Sequence, residues 1–86
     1  MPSEMEFDVV IAMDCLEHFE NWPAVLAVLE RHIHNGGVLF SNNGILDDMH
    51  HAEHYPCKPK AFVAKCVELD LMPVTEISYI KRQQEV

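Results

Sequence analysis

Glycine is scarce in this chain: there are only Gly36, Gly37 and Gly44 in 86 residues. None forms a G-x-G loop between a strand and a helix, so the close backbone approach that a dinucleotide or adenosine phosphate needs is missing. Basic residues are also few. No Lys or Arg precedes Arg31, and six basic residues against fourteen acidic ones leave a net charge of −8. That excludes a basic phosphate-gripping surface and argues against nucleic acid as a partner. The cysteines (Cys15, Cys57 and Cys66) are odd in number with no close pair, so no disulfide framework is expected. Reduced thiols and a cytoplasmic location are the simpler reading. The Met1-Pro2-Ser3-Glu4 start has neither the basic nor the apolar region of a signal peptide. No apolar run approaches membrane-spanning length, so a soluble protein with no membrane partner is expected.

What is present is a globular composition, with 49% hydrophobic residues. At this length residues 1–86 form one domain with a limited core. Phe7 to Met13 runs uncharged from Val9 onward and without alternation, which predicts a strand buried on both faces. Polar and ionisable residues follow at once: Asp14, Glu17 and His18. The carboxyl ends of strands in open α/β sheets are where ligands bind, which makes this turn a candidate site.

Asn21 can cap a helix, and Pro23 suits its first turn. Trp22, Val25, Leu26, Leu29 and Ile33 then fall on one helical face. Arg31, His32 and His34 fit a last turn, and Gly36-Gly37 predicts its stop. A short strand is expected over 38–41, parallel to the first because a helix joins them. The turn Asn42-Asn43-Gly44 would then lie beside Asp14. Asp47, Asp48, His50, His51, Glu53 and His54 load the loop that follows. Pro59 starts a second helix with Phe62, Val63, Cys66, Val67 and Leu69 inward, and Pro73 marks its end. A third strand is expected over 74–80. The order β-α-β-loop-α-β predicts an α/β fold.

Phe7-Asp8-Val9-Val10, then Leu16-Glu17-His18-Phe19, then Ile33-His34-Asn35-Gly36-Gly37-Val38-Leu39 resembles the C-terminal half of class I S-adenosylmethionine-dependent methyltransferases. The likeness is closest to the small-molecule group with an "FDVV…LEH…GG" pattern and spans roughly residues 7–72. It implies a partial Rossmann-like sheet, three-layered αβα and truncated at its N-terminal half. The first strand would be the family's fourth and the "GG" strand its fifth. The resemblance places S-adenosylmethionine against Met13 and Asp14, and a small-molecule methyl acceptor against residues 42–54. With the Gly-rich loop absent, the chain alone is expected to bind the cofactor weakly or not at all.

Asp14-x-x-Glu17-His18 further resembles the E-x-x-E-H pattern of two metal-using branches of that family. By that likeness Asp14, Glu17, His18 and His54 would hold a divalent cation that acidifies an acceptor hydroxyl. The commoner alternative is that Glu17 and His18 hydrogen-bond within the turn. His18 and His54 are also the candidate general bases. A non-catalytic reading stands beside the enzyme: a methyltransferase-like module whose open sheet edge pairs with a second copy or with a chain carrying the missing half. A third is an acidic, His-rich metal-binding module. For the loop at 47–54 a solvated surface is the commoner alternative. Cys15, with Asp14 and Glu17 beside it, reads as a packing residue and not a nucleophile. Cys66 reads as packing too, and Cys57 as a plain loop thiol.

Overall fold

The computed structural model describes residues 5–45 and 57–82. Its elements are β1 (Phe7–Ile11), a 3₁₀ turn (Leu16–His18), α1 (Trp22–Arg31), β2 (Ile33–Phe40), α2 (Pro59–Glu68), β3 (Leu71–Pro73) and β4 (Ser78–Lys81). The four strands form one sheet in the order β1-β2-β4-β3. β1 and β2 run parallel, as their connecting helix predicts, whereas β4 is antiparallel to both β2 and β3. The class is α/β with a mixed sheet.

The core lies on one face of that sheet. Trp22 and Leu26 of α1, with Phe62 and Cys66 of α2, pack on Leu39, Leu71 and Tyr79. Phe62 is central: its ring lies 6.2 Å from Trp22 and meets Tyr79 edge-on at 5.6 Å. Edge-to-face geometry places the positive rim of one ring against the negative face of the other. Trp22 is therefore the core anchor that its helical spacing predicts. Val67, expected on the inner face of α2, points to solvent instead, while Val63 and Leu69 pack against the core.

Four expectations are corrected. First, α1 ends at Arg31, well before the glycine pair. His32 caps it, with its N–H donating to the Leu29 carbonyl at 3.0 Å and its Nδ1 2.7 Å from the Met5 carbonyl oxygen. His34, expected in the last turn, thus lies in β2. Second, β2 begins at Ile33 and contains an irregularity. Phe7 pairs with Ile33 but Val9 pairs with Val38, so the intervening residues of β2 bulge out. Gly36 takes φ 83° there. A Cβ on Gly37 would come within 2.8 Å of the His34 carbonyl oxygen and 3.0 Å of that of Asp8. The glycine pair therefore serves a bulge, not a helix stop.

Third, the expected strand over 74–80 is the second arm of a hairpin. Pro73 closes the three-residue β3, and residues 74–77 turn back into β4, with Val74 N–H donating to Ser78 O at 2.9 Å. Pro73 is tolerated because β3 is an edge strand. Asp70, at φ 62°, links α2 to this hairpin in the left-handed conformation usual after a helix end. Lys81 of β4 reaches back to α1. Its buried Nζ donates to the carbonyls of Ile33 at 2.7 Å and Glu30 at 3.1 Å, with the Glu30 carboxylate 3.7 Å away.

The fourth correction concerns layers. Among the described residues both helices cover the same face, so the sheet has two layers there and not three. The other face carries Phe7, Val9, Ile11, Met72 and Ile80, all exposed, with Ile11 at 70%. The strand registers line up Val9, Val38, Ile80 and Met72 as one row across it. β1, predicted to be buried on both faces, is an edge strand with one face open.

Candidate functional site

Two parallel strands joined by a helix deliver their carboxyl ends to the same end of the sheet. After β1 the chain passes Ala12, which is buried and donates its N–H to Phe40 O at 2.8 Å, and then Met13, which is exposed. Asp14 follows at φ 50°, a left-handed conformation that Asp tolerates better than most residues. Asn42, just beyond β2, locks it there. The Asp14 N–H donates to Asn42 Oδ1 at 2.9 Å, and Asn42 Nδ2 donates to Asp14 Oδ1 at 2.8 Å. This reciprocal pair ties the two strand ends together across the crevice. Met13 and Asp14 are thus brought to a common rim with Asn42, as the sequence predicts.

Behind the rim lies a buried polar cluster. Leu16 and Glu17 of the 3₁₀ turn are both buried. Glu17 Oε1 accepts from Asn43 Nδ2 at 2.8 Å. Ser41 Oγ in turn donates to Asn43 Oδ1 at 2.9 Å and accepts from the Asn43 N–H at 3.3 Å. Glu17 Oε2 is buried with no hydrogen-bond partner, and His18 Nε2 lies 3.4 Å from it. His18 itself is more than half exposed. Glu17 is therefore a support for the turn after β2 and faces inward, away from the rim that Asp14 lines. The commoner alternative for Glu17 is a hydrogen bond within its own turn; the bond found goes instead to Asn43 in the turn after β2.

Of the expected metal set, Asp14, Glu17 and His18 are not grouped to hold an ion. Among the described residues no group of three His, Cys, Asp or Glu side chains is placed to hold an ion. Asp14 is engaged by Asn42 and Glu17 by Asn43. His54, the fourth expected ligand and second candidate base, lies outside the described residues, as do Asp47, Asp48, His50, His51 and Glu53.

Two of the three thiols are buried, those of Cys57 and Cys66. Burial, with the Glu17 charge adding to it, pushes the Cys57 thiol up to about 12. Burial likewise raises Cys66 to about 12. A thiol so far above neutrality carries almost no thiolate and is no nucleophile. Cys57, expected to be a plain loop thiol, is a buried core residue. Ser41 is the site residue that the sequence leaves without a role, while Asn42 and Asn43 are placed beside Asp14 without the bonds they make. Their signal is a polar run ending an apolar strand, and only the partners at Asp14 and Glu17 give it meaning. Among the described residues no helix is long and apolar enough to cross a membrane.

No curated protein and no solved structure matches the chain. Residues 1–41 do match a family model, described as a methyltransferase domain. The matched segment takes in β1, the rim turn, α1 and β2, and it supports a methyltransferase-like domain whose recognisable part is the half that builds the rim.

Proposed function

We propose that this chain supplies the carboxyl-end wall of an S-adenosylmethionine-dependent methyltransferase site acting on a small-molecule acceptor. The observation that carries the reading is the Asp14–Asn42 pair at the ends of two parallel strands, both of which lie in the segment that matches the methyltransferase domain. When bound, the cofactor supplies an electrophilic methyl group on a sulfonium sulfur. Met13 offers an apolar contact at the rim, and the Asp14 carboxylate a negative charge and an acceptor for hydroxyl or ammonium groups. These residues fit one wall of such a site. Alignment of acceptor and methyl group is what this wall contributes to the rate.

The remaining wall would need backbone approached at glycine, and none of Gly36, Gly37 and Gly44 forms a G-x-G loop between a strand and a helix. Calorimetry with S-adenosylmethionine and the isolated chain is accordingly expected to give a dissociation constant above about 100 μM, an affinity weaker than about 5.5 kcal/mol. Low-micromolar binding would contradict this incompleteness.

A second reading is favoured by the open sheet face. A mostly apolar edge strand, with Asp8 its one charge, beside a row of exposed apolar side chains is the pattern that seeks a partner. On this reading the chain is a non-catalytic methyltransferase-like module assembling through β1, with a second copy or with a chain carrying the missing half. For self-assembly, sedimentation at about 100 μM, far above the dissociation constant of a stable dimer, is expected to give a species heavier than 9.9 kDa. Ile11→Lys should return it to monomer with stability changed by less than about 0.5 kcal/mol, since Ile11 is exposed. A wild-type chain that sediments as a monomer would remove the second copy as the partner.

A further inference from the structure

A cleft of about 380 Å³ opens between the turn after β2 and the start of α2, lined by Gly44, Pro59, Lys60, Val63 and Ala64. We propose that this cleft binds a small apolar molecule bearing one anionic group. The proposal deepens the methyl-transfer reading, on which that molecule is the acceptor. The volume lies in the range of small-molecule sites, and Pro59, Val63 and Ala64 make its walls mostly apolar.

Three features fix the charge and polarity of the guest. Lys60 is exposed at the cleft, in a chain whose net charge is −8. Of the other lysines, Lys65 pairs with Glu68 at 3.3 Å and Lys81 is buried against α1. The second feature is the start of α2. Its first intrahelical donor is the Phe62 N–H, to Lys58 O at 2.8 Å. Helix geometry leaves the N–H groups of Lys60 and Ala61 outside the ladder, at the positive end of the dipole. The third is Tyr79, 1% exposed in the core, whose hydroxyl packs behind Gly44 of the cleft wall. A Cβ on Gly44 would lie only 2.5 Å from that oxygen. Burial raises the phenol to about 12, so it stays a neutral donor. Glycine at 44 keeps this approach open. The cleft thus offers apolar walls and one cation, beside the positive end of α2 and with a buried hydroxyl behind Gly44.

The test uses the uniformly ¹⁵N-labelled full chain without cofactor, titrated separately with benzoate, benzamide and benzylamine. These probes share a ring and differ in charge. Benzoate is expected to give saturable amide shifts at Gly44, Val63 and Ala64, benzamide weaker ones, and benzylamine none. Lys60→Gln should weaken benzoate about threefold and leave benzamide unchanged, the size of effect one exposed charge and a helix end provide. Equal responses to all three probes, shifts confined to Val9, Ile11 and Ile80 on the open sheet face, or no saturable benzoate shift up to about 10 mM, where even a ligand this small should register, would each overturn the proposal. Because no cofactor is present, this result stands or falls apart from cofactor binding at Met13 and Asp14.

Discussion

Replacing Phe62 with alanine is expected to lower the unfolding free energy by about 4 kcal/mol, which leaves a domain of this size largely unfolded. The ring is fully buried and bridges α1 to β4 through Trp22 and Tyr79. Its removal deletes the transfer free energy of a large apolar group, and it opens a cavity bounded by two other rings that cannot follow it inward. The core has few alternatives, because only one face of the sheet is covered among the described residues. Urea unfolding followed by tryptophan fluorescence reads the loss, and Trp22, the only tryptophan, reports on this contact directly. A cost below about 1 kcal/mol would mean that the two helices do not share a core through Phe62.

Asn43→Ala is expected to cost about 3 kcal/mol, an unusual amount for a small polar side chain. Asn43 is fully buried and is the donor to Glu17 Oε1. Its loss leaves a buried carboxylate with no hydrogen bond among the described residues, only the His18 ring 3.4 Å from Oε2. Glu17→Gln should cost less, because it removes the charge that makes the burial expensive. The double variant should therefore be more stable than the sum of the two single costs implies. Strict additivity in urea unfolding would show that the two residues do not depend on each other.

The two changes illustrate which parts of the fold were legible in the sequence. Helical spacing identified Trp22 and Leu26, and the helix between two uncharged segments implied their parallel pairing; both are local signals with one physical solution. The Asn43–Glu17 bond joins residues far apart in the chain and follows no period, so nothing in the sequence marks Glu17 as inward-facing. Gly36-Gly37 misled for a related reason. Glycine is used wherever the backbone needs φ > 0 or close approach, and a helix stop and a strand bulge both need it. His32, whose ring reaches Met5, ends the helix before the glycines are met. Pro73 was read as a terminator because a three-residue edge strand carries no pattern of its own. The uncharged run from Val9 to Met13 predicts cover on both faces, and the exposed row on β1 marks where that cover is wanting.

The rim was the most legible part of the site. Asp14 directly after an apolar strand is visible as a change of composition, and its placement at φ 50° beside Asn42 is what the fold adds. Non-glycine residues held in that region cluster at ligand sites because their surroundings must hold them there. Among the described residues it is Asn42, contributed by the neighbouring strand end, that bonds Asp14 there.

The most direct measurement is a titration of the ¹⁵N-labelled chain with S-adenosylhomocysteine, read residue by residue. Weak but saturable shifts centred on Met13, Asp14 and Asn42, lost in Asn42→Ala while the rest of the spectrum keeps its dispersion, are the predicted result. Amides at those three positions that stay unmoved at millimolar ligand would contradict a cofactor wall at the ends of β1 and β2.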